Sequence, residues 1–462
     1  MNKHRRIIML AGILILILSF CLEESILEQV VDNNGFVGLN KTMIKASSRP
    51  NVDKNQALTL DDISYLDKKA KGGSITYLTR QDSEAGGNCN WTRARIIGTN
   101  YMYPRFRDLH MESGGMWTEE AEREGLRMAV INNDLAWQLF KSTEVVGMDV
   151  NILGSTFKVV GVMGKNESLI ARLADDGVPE ILIPGPVYYS LAKNPEILEI
   201  QISGEESGYI NELLTGMGKD LSCFSINDYH DTQPLMGQVP QIQVFLIGLL
   251  CIVALLRWIR KEFRQLVKLL KKDSCNDYFA VVLKRRWREA AAFLLITGVL
   301  IATIIFIWSN IHFQIYVPSR YIPDDLINIQ YYTEVIKQDI ANGRTAAEFY
   351  RPTTDLELGI CQNINFFLYF ISWPLSLVLL LYGLSRRRWI PKYALKTMVY
   401  TAGTMILSLI IVALIGFFTG SKSVLNLHAF IVLWCFIGLK LIYIFVSSSR
   451  ENGHLTELIS FK

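Results

Sequence analysis

Six long apolar runs divide this chain, and polar segments of very different length separate them. The runs cover residues 7–22, 242–256, 290–308, 366–384, 398–418 and 429–446. Most are close to the roughly twenty residues that a helix needs to cross the hydrocarbon core of a bilayer. The pattern therefore predicts about six membrane-spanning helices, with one large polar segment between the first two.

The large polar segment, residues 23–240, alternates predicted strands with predicted helices. Two β-branched runs meet at Gly154, which predicts a β-hairpin. Upstream of the hairpin, Asn132, Asn133 and Asp134 offer N-caps to a short amphipathic helix that follows an apolar strand. The predicted fold class is an α+β domain on one side of the membrane, joined to an all-α bundle of about six transmembrane helices.

The placement of Lys and Arg predicts the orientation, because cytoplasmic loops of membrane proteins are enriched in these residues. Residues 257–288 carry eleven Lys/Arg against three Asp/Glu, and residues 385–396 carry five Lys/Arg. Both segments are predicted to be cytoplasmic, together with the basic residues 1–6. The mildly acidic segment 310–365 is predicted to lie outside. These signs agree with an even number of spans and with both termini in the cytoplasm of a multi-pass protein of the cell membrane.

These signals divide the chain into six parts. We expect a transmembrane anchor at 1–22, an extracytoplasmic core domain at 23–240, a membrane pair with a basic cytoplasmic loop at 241–309, an extracytoplasmic insert at 310–365, three further membrane helices at 366–447 and a cytoplasmic tail at 448–462. A cleaved signal peptide and lipidation at Cys21 are alternatives for the first run. Phe20 is too large for the position before a lipidated cysteine, and the run lacks a small-residue cleavage site, so the anchor is favoured.

The stretch 96–163 carries the most specific pattern in the chain. Apolar and glycine positions recur there at fixed spacing, at Val130, Leu135, Ala136, Leu139, Phe140, Val146, Gly147, Val150, Ile152, Gly154, Phe157, Val159, Val160, Gly161 and Val162. This pattern resembles the extracytoplasmic core domain of MacB-type ABC transporter permeases. The resemblance covers about seventy residues closely and identifies core and turn positions of a scaffold, with FtsX-like membrane helices expected beside it.

That resemblance implies a function and also shows two departures. Permeases of this type pair as two copies and work with an ATPase that closes beneath a cytoplasmic loop, and the motion reaches an outside domain. The family has four spans, whereas this chain has a longer outside insert and two more apolar runs. Met116 stands where the family usually has arginine. The implied activity is that of a permease subunit whose outside domain handles a lipid, a peptide or a toxin.

The basic segment that follows the second apolar run is the main candidate for contact with a partner. Apolar and basic residues alternate there at helical spacing, which predicts an amphipathic helix continuing from the span. The resemblance implies an ATPase contact at Arg260, Lys261, Arg264, Lys268, Lys271 and Lys272. The same residues would equally suit a helix that lies on anionic lipid headgroups. The sequence leaves these two interpretations open.

Cysteine, charge and histidine patterns narrow the remaining chemistry. Of the seven cysteines, Cys89 and Cys223 are candidates for a disulfide that would staple the outside domain, where such bonds persist. The net charge of only +3 argues against a nucleic-acid partner. The six histidines lack metal-site spacing, and the charged run 119–124 is typical of a solvated helix face.

No segment of the sequence matches a nucleotide-binding P-loop. The pairs Gly164-Lys165 and Gly218-Lys219 lack both the first glycine and the following Ser/Thr of that motif. Any ATPase would therefore be a separate chain, and we predict no enzyme activity, cofactor or metal for this one. The alternative function is a non-transporting membrane protein whose outside domain binds a ligand or regulates a partner.

Overall fold

The computed structural model describes residues 3–46, 56–70, 73–87, 90–273, 284–318, 350–384, 391–419 and 426–451, together with the single residues 278, 282, 322, 330, 333, 337 and 422. Within these residues, five helices are long and apolar enough to cross a membrane, and a shorter apolar helix covers Leu427–Leu439. The predicted fold class of an α+β domain with about six membrane helices is confirmed.

Ten strands of the described residues form a single mixed sheet. They are β1 (Lys41–Ala46), β2 (Ile75–Gly87), β3 (Asn90–Thr99), β4 (Met111–Gly114), β5 (Met128–Asn132), β6 (Asp149–Ile152), β7 (Ser155–Met163), β8 (Glu180–Pro184), β9 (Ile197–Ser203) and β10 (Phe224–Asp228). Their order is β10-β1-β9-β2-β3-β8-β5-β7-β4, and β6 pairs with β2 and β7. Only the β3–β8 and β5–β7 pairs are parallel among the described pairings.

Seven short helices pack around this sheet in the part of the chain that the structure describes. They are α2 (Leu60–Lys69), α3 (Tyr103–Phe106), α4 (Glu119–Arg123), α5 (Asn133–Phe140), α6 (Leu169–Ala174), α7 (Gly185–Leu191) and α8 (Ser207–Gly216). The largest core of the domain lies where Ile96, Ile131 and Phe157 of the sheet pack against Leu135 and Leu139 of α5. We call the sheet and these seven helices the head.

Local sequence signals set the details near the centre of the head. Residues Ile152 and Ser155 face each other across the β6–β7 hairpin, and the two turn residues Leu153 and Gly154 both have positive φ. Such a pair of left-handed residues is the usual tight turn of a hairpin. The side chain of Asn132 accepts a hydrogen bond from the backbone N–H of Leu135 and caps α5. The predicted hairpin and the predicted helix cap are both present.

Long helices form most of the other described residues. They are α1 (Lys3–Asn33), α9 (Thr232–Asp273), α10 (Trp287–Ile311), α11 (Thr353–Phe367), a π-helical turn (Leu368–Ser372), α12 (Trp373–Leu384), α13 (Pro391–Thr419) and α14 (Leu427–Glu451). The π-helical turn directly precedes Pro374, whose missing N–H favours such an irregularity.

Three of these helices extend beyond the limits that the apolar runs predict. Helix α1 continues eleven residues past position 22, α9 begins nine residues before 241, and the helix of the fourth span begins at Thr353 instead of 366. In α1 and in the helix of the fourth span, polar residues beyond the apolar runs are buried instead of ending the helix. Asn33 at the end of α1, for example, is buried and donates from Nδ2 to Ser168 Oγ of the head at 3.2 Å. The helix expected near 324–340 lies outside the described residues.

Candidate functional site

The extended outer ends of α1, α9 and α11 meet the head in a buried polar cluster. We call these three helices the stalk and this cluster the head–stalk joint. Its members are Asn34, Lys41, Lys45, Arg107, Glu199, Gln201, Tyr229, Thr354, Asp355 and Glu357. Charged side chains are almost never fully buried unless they are paired, so each one here points to a specific contact.

Lys41 lies at the centre of the joint and is completely buried. Its Nζ donates hydrogen bonds to Asn34 Oδ1 and Gln201 Oε1, both at 2.8 Å, and lies 3.4 Å from Thr354 Oγ1. Burial lowers the pKa of Lys41 to about 7, although the charge of nearby Glu199 opposes this shift. One side chain on β1 thus ties together the end of α1, strand β9 and the start of α11.

Asp355 makes a second connection from α11 to the head. It accepts a hydrogen bond from Lys45 Nζ at 2.6 Å and another from the hydroxyl of Tyr229. Burial and the charge of Asp355 raise the pKa of Tyr229 well above its usual value, so this phenol stays protonated and donates. Tyr229 lies three residues before α9 begins, so Asp355 connects α11 to the base of α9.

Arg107 and Glu357 form the third connection. Arg107 Nη2 lies 2.8 Å from Glu357 Oε1, and the Glu357 side chain has no exposed surface. Although burial opposes it, the charge of Glu357 raises the pKa of Arg107 further. Neither oxygen of the Glu357 carboxylate has a well-aligned hydrogen bond among the described residues. The negative charge of Glu357 is therefore balanced by the close ion pair with Arg107 and not by hydrogen-bond geometry.

Apolar packing continues the joint along α1 and α11. Ile26 and Val30 of α1 pack with Met43 of β1, Ile170 of α6 and Leu358 of α11. Polar contacts flank this cluster, because Ser168 of the head accepts from Asn33 Nδ2 and donates to Gln29 Oε1, each at 3.2 Å. The head is therefore held by three helices through both buried charges and an apolar seam.

Helix α9 runs without interruption from the joint to the basic segment. Its 42 residues span about 63 Å at the usual rise of 1.5 Å per residue, which exceeds the thickness of a bilayer. Pro240 lies inside its outer part. Lys271 and Lys272 lie in the last turn of the helix. One end of α9 therefore lies at the joint, and its other end carries the basic segment.

The basic segment separates into two groups of side chains. Arg260, Arg264, Lys268 and Lys271 are exposed and follow each other at helical spacing, so they share one face, and Lys272 is exposed beside them. Lys261 belongs to the other group, because its Nζ donates to the hydroxyl of Tyr443 at 3.1 Å and lies 4.9 Å from the centre of that ring. Five of the six predicted contact residues are therefore accessible, whereas Lys261 packs on α14.

Two other predicted features have different outcomes. Cys223 carries a free thiol among the described residues, and Cys89 lies outside them, so their disulfide stays a prediction.

In the charged run on α4, Glu122 is partly buried and accepts hydrogen bonds from Tyr101 N–H and Trp117 Nε1. Burial raises the pKa of Glu122, which makes this residue a structural contact within an otherwise solvated helix face.

The head–stalk joint has no clear signature in the sequence. Lys41 and Thr354 are 313 residues apart, and nothing local marks a charged residue as buried. The acidic residues Asp355 and Glu357, just before the apolar run 366–384, fall in the segment 310–365 that the sequence predicts to be an extracytoplasmic insert. The burial of a charged residue can be recognised only when its partner in the folded chain is known.

Comparison with known proteins matches the same kind of extracytoplasmic core domain that the sequence pattern resembles. Residues 7–210 match the family model of the MacB-like periplasmic core domain. The macrolide export ATP-binding/permease protein MacB of Syntrophobacter fumaroxidans is 28% identical over 128 residues, which are 23% of this chain and 18% of that protein. The ABC transporter permease YknZ of Bacillus subtilis is 23% identical over 222 residues, which are 46% of this chain and 54% of the relative. The chain thus spans between a fifth and about half of the length of these relatives.

Two solved structures are similar to the head. One is the periplasmic region of MacB from Actinobacillus actinomycetemcomitans, with 17% identity, a TM-score of 0.35 and coverage of 43% of this chain and 94% of that one. The other is the extracellular domain of the noncanonic ABC-type transporter YknZ from Gram-positive bacteria, also with 17% identity, with a TM-score of 0.33 and coverage of 41% and 100%.

Proposed function

From the match of residues 7–210 to the MacB-like periplasmic core domain and the similarity to ABC transporter permeases, we propose that this chain is a membrane subunit that couples a separate ATPase to movements of the extracytoplasmic head. The observation that carries the proposal is the continuity of α9 between the head–stalk joint and the exposed basic face. A helix is stiff along its axis, so a displacement of one end reaches the other. The head, in turn, would handle a lipid, a peptide or a toxin.

The cytoplasmic end supplies the docking face in this proposal. Arg260, Arg264, Lys268 and Lys271 lie on one side of α9, and the exposed apolar residue Phe263 lies nearby. Clustered cations beside exposed apolar surface are suited to a partner with an acidic rim and an apolar centre. Lys261, held by Tyr443, keeps α9 against α14 and lets the two helices move together.

The outer end converts that movement into a movement of the head. When the ATPase closes, α9 tilts, and the contact between Tyr229 and Asp355 carries α11 along with it. The bonds of Lys41 and Arg107 to the same part of α11 then oblige the sheet to follow. Two copies would pair in the membrane, with both termini in the cytoplasm, so that the two heads close on each other or separate.

Mild-detergent purification from the native cell tests the docking step. We expect a P-loop ATPase to co-elute with the wild-type chain and to be lost on the double change R260E/R264E. The matched control is R127E, which reverses an exposed arginine on the head. Recovery of no P-loop ATPase with the wild-type chain contradicts the proposal.

The alternative is a membrane protein without an ATPase, whose head binds a ligand or regulates a partner. It is favoured by the same basic face, because cations at the inner membrane surface also bind anionic lipids at about 1 kcal/mol each. The two functions separate in one comparison. If R260E/R264E weakens binding to anionic vesicles but no ATPase accompanies either variant, the alternative is supported.

A further inference from the structure

A cavity of about 510 Å³ with both polar and apolar lining lies where the four long helices α1, α9, α10 and α14 come together. It is lined by Glu24 of α1, by Gln241 and Val244 of α9, by the end of α10 and the residues after it, and by the start of α14. Its volume falls in the range of roughly 300–1,000 Å³ that is typical of small-molecule sites. The cavity is separate from both the head–stalk joint and the basic face.

One carboxylate lies in the lining of the cavity. Among the eleven lining residues, Glu24 is the one that belongs to Asp, Glu, Lys or Arg, and the histidines His312 and His428 also belong to the lining. The Glu24 carboxylate Oε1 accepts a hydrogen bond of 2.6 Å from Asn426 Nδ2, which fixes the Glu24 side chain beside the start of α14. Asn426 is in turn fixed, because its Oδ1 accepts from the backbone N–H of Ala429 and caps that helix.

Two polar side chains of α10, Ser309 and Asn310, keep hydrogen-bond acceptor capacity towards the cavity. Asn310 donates from Nδ2 to the carbonyl oxygen of Phe306 at 2.8 Å, and the hydroxyl of Ser309 donates to the same oxygen at 2.9 Å. These bonds use one amide hydrogen of Asn310 and the hydroxyl hydrogen of Ser309, while the side-chain oxygens of both residues keep acceptor capacity. A carboxylate with neighbouring acceptor oxygens suits a group that donates several hydrogen bonds and carries positive charge.

The position of the cavity indicates what the cation is attached to. Helix α10 ends at Ile311 and α14 begins at Leu427, so the cavity lies at the level where the apolar spans end. Buried Val244 and Ile311 form an apolar part of the lining, and Leu427 is largely exposed beside it. A ligand there meets acceptor oxygens on one side and hydrocarbon on the other.

We propose that this cavity binds the ammonium group of an amphiphile, with its alkyl chain along the apolar wall and its –NH₃⁺ donating to Glu24 and Asn310. The occupant is either a membrane lipid with an amine headgroup or a smaller amphiphilic amine that arrives from water. Both present the same chemistry to the cavity. The proposal does not depend on an ATPase, so it stands or falls separately from the coupling function.

Binding of radiolabelled dodecylamine to the purified full chain in maltoside micelles tests the proposal. We expect saturable binding that unlabelled dodecylamine displaces and dodecanol does not, because the alcohol has the same chain without the charge. E24Q is expected to weaken binding about tenfold or more, since a hydrogen bond to a charged group contributes roughly 1.5–3 kcal/mol. The matched control is E28Q, the same change one turn further along α1 at a residue outside the lining.

Two further measurements keep the result decisive. N310L removes an acceptor from a different helix, so it tests the same site if E24Q does not fold, and it should also weaken binding. Equal displacement by dodecanol, or wild-type affinity in a folded E24Q or N310L, overturns the proposal. Competition by short-chain phosphatidylethanolamine but not phosphatidylglycerol assigns a membrane lipid as occupant, and competition by neither assigns a smaller amine.

Discussion

The ion pair between Arg107 and Glu357 gives the sharpest prediction about the head–stalk joint. The two charged atoms lie 2.8 Å apart, and Glu357 is fully buried while Arg107 keeps 18% of its side chain exposed. At an effective dielectric constant of about 20, their attraction is of order 6 kcal/mol before desolvation is subtracted. Removing one partner of such a buried pair typically costs about 3–5 kcal/mol, because the remaining charge is left uncompensated.

We therefore expect R107M to destabilise the joint by about 3 kcal/mol or more, and E357L to do the same. The double variant R107M/E357L should recover most of that loss, since no charge is left buried. The matched control is R93M, which breaks an exposed pair with Asp82 at 3.1 Å and should cost less than about 1 kcal/mol.

Hydrogen exchange of β1 and α11 in the full-length detergent-solubilised protein measures this effect at the joint itself. A loss of 3 kcal/mol corresponds to opening that is roughly a hundredfold more frequent. The reasoning is refuted if R107M and E357L each behave like the exposed control, or if their effects simply add in the double variant. In the proposed function, E357L also keeps the ATPase bound while the head no longer follows it.

Three other outcomes follow from the described contacts. G98A should destabilise the head by about 1–3 kcal/mol in thermal unfolding, because the new methyl group would lie 2.5 Å from Thr79 Oγ1, and a wild-type midpoint would contradict this. The hydrogen bond to Asp228 raises the pKa of His230, so this pair stabilises the fold below about pH 6.5 and the gain is lost as pH rises through the folded pKa; D228N should lose more stability at pH 5.5 than at pH 8.5. Burial lowers the pKa of Lys41 to about 7, below its value in the unfolded chain. Between these two pKa values the unfolded chain binds more protons than the folded one, so the free energy of unfolding should rise with pH above 7. K41M should show a smaller rise of the unfolding free energy over the same pH range.

Features with local causes could be predicted from the sequence. The cap at Asn132 and the hairpin turn at Gly154 depend on neighbours within a few residues, and both are present in the head. The apolar runs likewise located the membrane helices, because the requirement of a bilayer for about twenty apolar residues does not depend on the rest of the fold. These features needed no knowledge of tertiary contacts.

Helix ends and buried charges could not be predicted in this way. Glu23 ends the first apolar run, yet α1 continues to Asn33 because its polar residues find partners in the head, such as Ser168, and at Asn426 just before α14. Lys261 looked equivalent to Arg264 in sequence, but Tyr443 on a distant helix holds it. In each case the deciding contact comes from a residue far along the chain, and a periodic pattern carries no information about it.

The buried charges of the joint are better explained by positional specificity than by stability. An apolar seam alone would hold α1 and α11 against the head, but it would tolerate sliding by a turn, because apolar contacts are not directional. Lys41 and Asp355 each have acceptors or donors at fixed positions, so a slid register would leave charges unpaired at a cost of several kcal/mol. The joint thus resists sliding of the helices against the sheet, which is the property that a device transmitting motion from α9 to the head requires.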